Sequence, residues 1–184
     1  MDPVRTSILI GARREQVFDF LADIANHVAF TDHFLRDWHL TRERSVGLGA
    51  GARFRVRAPG MRFSWGDVTF TEVRPPHLIV EEGRMGKGNR IATRGVYELV
   101  EGPGATTRVT FTFQSRPVML SDRIAEALGG RRWVARMQRR ALWRLRDLME
   151  AMHAPEHRGA AQALAGAVGG AGAGVLKRVT VADG

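Results

Sequence analysis

Residues 4 to 10, VRTSILI, alternate between polar and apolar positions, the period of a strand with one buried face. The period then changes: in RREQVFDFLADIANHVAFTDHF, Val17, Leu21 and Ile24 recur at i, i+4 and i+7. That spacing predicts a helix buried along one stripe, with a short second helix around Asn26 to His33. From Trp38 to Phe113 the chain reads as strands, divided by GLGAG at 47–51, PG at 59–60, RPP at 74–76, GRMGKGN at 83–89 and EGPGAT at 101–106. Connections this short join antiparallel neighbours, so a meander is expected. Ser121 and Asp122 are placed to cap a helical turn to Leu128, Gly129 and Gly130 interrupt it, and RRWVARMQRRALWRLRDLMEAM continues as a long helix. A strand, two helices, a long meander and a closing helix make an α+β arrangement of about seven strands, a curved antiparallel sheet gripping the last helix.

Strand parity locates the core. Phe54, Val56 and Ala58 share one face and Arg53, Arg55 and Arg57 the other, while Val109, Phe111 and Phe113 oppose Arg108, Thr110 and Thr112. One face of the sheet is therefore wet. In strand 90–100 the more apolar face carries Ile91, Thr93, Gly95, Tyr97 and Leu99, which puts the chain's single tyrosine inside. On the last helix Val134, Met137, Ala141, Leu145, Leu148 and Met152 form the stripe expected to meet the dry face. Strand 61–73 contains a conflict, because Phe63 and Trp65 share one face and Val68 and Phe70 the opposite one. A bulge at Gly66 would bring all four inside and expel Asp67; an unbroken strand would aim Asp67 inward, where desolvation raises a carboxyl's pKa. The bulge is the expectation. In HLIVEEG, Leu78, Val80 and Glu82 share a face and His77, Ile79 and Glu81 the other. Two apolar residues against one place Glu82 toward the interior rim.

At 184 residues the chain suits one domain with a core of ordinary size, expected over 1–153. The Ala/Gly-rich remainder, 154–184, has too little apolar surface to order itself and is expected to be a flexible tail. No cysteine is present, which excludes disulfides and thiol catalysis. The start MDPVRTSILIGARR lacks a signal peptide's apolar run, and ALAGAVGGAGAGVL at 163–176 is too short to span a bilayer, so a cytoplasmic protein is expected. The net charge of +9 rests almost wholly on arginine. It is concentrated between Arg131 and Met152, where seven arginines face Asp147 and Glu150, a local +5.

The helical region VFDFLADIANHVAF, the central turn FTEVRPPHLIV and the hairpin YELVEGPGATTRVTFTF, in that order over about residues 4 to 152, resemble the START-like superfamily, also written SRPBCC. Within it the likeness is to the polyketide cyclase/dehydrase branch. The resemblance implies a helix-grip fold with an apolar cavity between sheet and last helix, and a hydrophobic small-molecule ligand such as a lipid, a quinone or a polyketide. Projected onto this chain, the cavity's sheet walls are Trp38, Phe54, Val56, Phe63, Trp65, Phe70, Val80, Tyr97, Phe111 and Phe113. Phe30 and Phe34 would lie near its mouth, and Met137, Ala141 and Leu145 on the helix. Pockets of this kind hold about 300 to 1,000 Å³. At about 24 cal/mol per Å³, an empty one would cost roughly 7 kcal/mol, comparable with a domain's whole stability. The cavity is therefore expected to be small, wet or occupied.

The sequence is less informative about catalysis. GLGAG precedes a strand and GRMGKGN lacks the helix and hydroxyl of a phosphate loop, so both are hairpin loops. His153, Glu156 and His157 match a metal-protease spacing, but Pro155 interrupts the helix it needs. His27, Asp32 and His33 are assigned surface or capping roles, since six residues put the histidines on different helical faces. No metal and no cofactor are expected. If the protein is an enzyme, the alternative implied by the branch is a cyclase or dehydratase working by acid/base chemistry with Tyr97 and either Asp67 or Glu82. A third alternative lies on the helix's far side, where Trp143 stands among Arg132, Arg136, Arg139 and Arg146, a surface suited to RNA or an anionic membrane.

Overall fold

The computed structural model describes the backbone of residues 2–58 and 65–170. Strand β1 (Val4–Ile10) leads into helix α1 (Arg14–Ala22), a 3₁₀ turn (Ile24–Asn26) and the short helix α2 (His27–Thr31). Six strands follow: β2 (Leu35–Leu40), β3 (Gly51–Val56), β4 (Trp65–Arg74), β5 (Leu78–Met85), β6 (Ile91–Glu101) and β7 (Thr107–Arg116). Helix α3 (Leu120–Ala125) passes through a π-helical turn (Glu126–Gly130) into the long helix α4 (Arg131–Gly170). The strands form one antiparallel sheet in the order β1-β7-β6-β5-β4-β3-β2, a meander closed by β1 returning beside β7. This is the α+β helix-grip architecture expected from the periodicity. The chain divides into two units, residues 1–150 and 151–184. Helix α4 runs to Gly170, past the boundary placed at 153, while residues 171–184 of the expected tail lie outside the described residues.

One core unites the sheet's inner face with α1, α2 and the first part of α4. Helix α1 contributes Val17 and Leu21, the spacing read from the sequence, with Phe18 and Ala22 beside them. The buried stripe of α4 is Gln138, Ala141, Leu142, Leu145 and Met149. It is rotated from the expected one: Ala141 and Leu145 hold, Met137 and Leu148 are half-buried, and Met152 is 59% exposed. Apolar residues on this helix occupy more than one row of i, i+3, i+4 spacing, so the pattern alone fits either rotation. The observed rotation is held by Arg144, which binds Asp32 and donates to the Ala29 carbonyl at 3.2 Å. His33 Nε2 donates to the Met137 carbonyl at 3.2 Å, which leaves Nδ1 as acceptor for Arg144 Nη1 at 3.4 Å.

Two parity expectations are overturned. No bulge occurs at Gly66: the β3–β4 register continues without a break through Phe54↔Gly66 and Arg55↔Trp65. Gly66 is itself the inward residue, and it is small because a Cβ there would stand 3.2 Å from Phe54 Cε2. Trp65 and Asp67 therefore share the wet face. Trp65 is 40% exposed beneath the guanidiniums of Arg53 and Arg55, and Asp67 accepts from the Arg84 N–H at 3.0 Å. The extra residue is instead Thr71, between Phe70 and Glu72. On β5, Ile79 and Glu81 face inward and Val80 and Glu82 outward, the reverse of the expectation. Val80 is buried on the outer face between its ladder partners Glu72 and Val96, and Glu82 reaches Arg94 there at 3.6 Å. Counting apolar residues misassigns the strand because Val80 is buried without facing the core.

Candidate ligand-binding site

The inner face places a group of aromatic rings opposite α4. Trp38 stacks on Phe54 with centroids 4.9 Å apart, and Tyr97 lies 4.3 Å from Phe111 across the β6–β7 ladder. Between these pairs stands His27, the first residue of α2, with Phe30 at 5.2 Å, Phe70 at 5.6 Å, Tyr97 at 5.7 Å and Trp38 at 6.4 Å. Its Nε2 donates to the Leu21 carbonyl at 2.9 Å. A carbonyl only accepts, so Nε2 carries the proton and Nδ1 is left as a lone-pair acceptor among the rings. Burial lowers the His27 pKa to about 4, against the opposing pull of the Leu21 carbonyl and Asp23, so the ring is neutral near pH 7. The indole N–H of Trp38 is buried without a hydrogen-bond partner among the described residues.

Glu81 brings a carboxyl into this apolar setting. It pairs with Phe70 on one side and Gly95 on the other, and its side chain lies over Gly95, where any Cβ would collide with it. Burial pushes its pKa up to about 7. Tyr97 is raised well above the usual phenol range, by its own burial first and by the Glu81 charge second. Glu81 is half-buried on the inner face of the sheet.

Of the sheet walls read from the sequence, Trp38, Phe54, Val56, Phe70, Tyr97, Phe111 and Phe113 face the core. Trp65 and Val80 do not, and Phe63 lies outside the described residues. Phe30 is fully in the core and not at a mouth, and half-buried Phe34 meets Trp133 edge-on at 6.1 Å. On the helix, Ala141 and Leu145 belong to the buried stripe and Met137 flanks it. Asp67 and Glu82, the expected inward acids, point to the outer face, and the carboxyl on the inner face is that of Glu81. His27, expected at the surface, is buried. A signal for this exists in the sequence, since His27 stands three residues after Ile24 and continues the apolar stripe of α1.

Elsewhere, Arg132, Arg136 and Arg139 are exposed, Trp143 is 53% exposed, and Arg146 pairs with Asp147 at 2.9 Å. Among the described residues no group of three His, Asp or Glu side chains is arranged to hold a metal ion. Nor is any helix among them long and apolar enough to cross a membrane.

The fold is similar to that of TTHA0849 from Thermus thermophilus, with a TM-score of 0.62 and 14% identity over 82% of this chain and 98% of that one. It is also similar to Ms6760 from Mycobacterium smegmatis, with a TM-score of 0.59 and 15% identity over 82% and 92%. Truncated norcoclaurine synthase from Thalictrum flavum aligns with a TM-score of 0.56 and 11% identity over 76% and 91%. At such identities these likenesses speak for the fold alone. Comparison with curated proteins gives no match. The pattern described as "Polyketide cyclase / dehydrase and lipid transport" matches residues 1–150, which carry the whole sheet, the core-facing part of α4 and the Glu81 site, and the chain belongs to that family.

Proposed function

We propose that the protein binds an apolar small molecule between the inner face of the sheet and α4, with Glu81 engaging the ligand's polar end. The observation that supports this reading is the Glu81 carboxyl on the sheet's inner face, opposite Phe70 in the β4–β5 ladder and over Gly95, two residues from Tyr97 on β6. An acid held there without a polar partner opposes folding, because a desolvated carboxyl costs several kcal/mol when it ionises. A ligand would offset that cost, while the aromatic walls supply the nonpolar area on which most of the affinity depends. Native mass spectrometry of freshly purified protein tests it. A noncovalent small molecule that dissociates on denaturation, and whose removal lowers Tm, is the expected result; a protein that carries nothing and takes up no apolar probe would overturn the reading.

A second reading, acid/base catalysis on a polyketide-like substrate, is favoured by one specific feature. Glu81, with its pKa raised to about 7, exchanges a proton near neutral pH, where a general acid or base is most effective. Tyr97, held as a neutral phenol, would donate a hydrogen bond to a developing oxyanion. Under this reading Glu81→Gln abolishes turnover but keeps binding; under the carrier reading no turnover of a bound molecule is seen with either protein.

A further inference from the structure

Among the described residues no cation balances Glu81. Its pKa is set by burial alone, and the group that feels its charge is Tyr97, itself an acid. Its neighbours in the sheet are uncharged: Phe70 across the β4–β5 ladder, Gly95 across the β5–β6 ladder and Tyr97 two residues along β6, and the rings of Phe70 and Tyr97 adjoin neutral His27 of α2. The arginine nearest in register, Arg94, stands on the opposite face of the sheet with Glu82.

Resting on the ligand-binding reading above, we propose that this site recognises a cationic amphiphile, an apolar molecule whose ammonium group sits against the Glu81 carboxylate and the adjoining aromatic faces. Three features of the site suit that group and suit its neutral or anionic analogues less. A buried carboxylate is strongly unfavourable alone and favourable only with an opposite charge and hydrogen-bond donors, both of which an ammonium supplies. The π faces of Phe70 and Tyr97 attract a desolvated cation. His27 Nδ1 offers a lone pair and no competing proton, because Nε2–H is held by Leu21. An alcohol would meet only part of this set, and a fatty carboxylate would place a second negative charge beside Glu81.

Octylammonium, octanol and octanoate share one chain and differ in the head, so their binding to the full-length protein by isothermal titration calorimetry at about pH 8, where an alkylamine is still protonated, isolates the head group. An opposite charge within reach of a carboxylate shifts its pKa by about one to three units, which corresponds to roughly tenfold or more in affinity. Octylammonium is expected to exceed octanol by at least about that factor, with octanoate weakest. In Glu81→Gln the preference should fall below about threefold while octanol binds as before, which also shows that the variant is folded; Glu81→Met serves if it is not. Equal binding of octylammonium and octanol, or a preference that survives both substitutions, overturns the proposal and leaves the apolar-ligand reading standing. Failure of all three to bind overturns both.

Discussion

The side chain of Glu81 lies across the bare Cα of Gly95, its partner in the β5–β6 ladder. A methyl group at position 95 would come within 2.6 Å of Glu81 Cγ and 2.8 Å of Cδ, too close for either to stay in place. Glycine in a strand interior is otherwise unfavourable, and here it leaves the space through which the carboxyl reaches the interior. Gly95→Ala should therefore destabilise by about 1 to 3 kcal/mol, the usual cost of overpacking. Glu81→Ala in the same background should recover much of that loss, with a coupling of roughly 0.5 to 3 kcal/mol in a urea-denaturation double-mutant cycle. Additive effects would show that the two positions do not compete for the space.

Phe70 and Trp65 lie on the same strand but on opposite faces, and their substitutions should separate cleanly. Phe70 is 1% exposed against His27, so Phe70→Ala should cost about 3 to 5 kcal/mol and reduce binding of an apolar probe. Trp65 is 40% exposed under Arg53 and Arg55, where a cation–π contact contributes about 0.5 to 1 kcal/mol. Trp65→Ala should lower stability by no more than that and leave the probe's affinity unchanged. A large binding loss in Trp65→Ala would place the indole inside after all.

The rotation of α4 can be tested in the same way. Leu142 is 3% exposed and Met152 is 59% exposed, although the sequence pattern sets Met152 in the buried stripe and Leu142 outside it. Leu142→Ala is expected to cost about 2 to 5 kcal/mol and Met152→Ala less than about 0.5 kcal/mol. Comparable losses at both positions would mean a different helix rotation.

The element order, the meander and the aromatic inner face are legible because periods of two and of three to four leave strong traces along the chain. Misreadings fall where a single residue decides parity. Gly66 suggests a bulge from its type alone, whereas its role is to make room for Phe54 across the ladder, a contact between residues twelve positions apart. The bulge at Thr71 carries no such marker in the sequence. Val80 illustrates the same limit, since burial on the outer face cannot be distinguished from burial in the core by hydrophobicity. The site's main acid consequently stands one residue away from where the pattern places it.

Glu81 and His27 should give the protein an unusual pH–stability profile. The Glu81 pKa rises from its ordinary 4.5 to about 7 on folding, so between these values the folded state holds a proton that the unfolded state has lost, and stability falls as pH rises. The His27 pKa drops from 6.5 to about 4, so between those values the unfolded state holds the extra proton, and stability falls as pH drops. From about pH 4.5 to 6.5 the two windows overlap. Each state then binds one proton across the pair, on Glu81 when folded and on His27 when unfolded, and the two slopes, each up to about 1.4 kcal/mol per pH unit, cancel. Wild-type protein should accordingly show little pH dependence from this pair across that interval. Glu81→Gln, which removes the acid, should expose the histidine's slope and become less stable toward pH 4.5; His27→Phe should expose the glutamate's slope and become less stable toward pH 6.5. Urea denaturation of the three proteins at half-unit pH steps measures this directly. Parallel profiles for all three would show that neither group changes its pKa on folding.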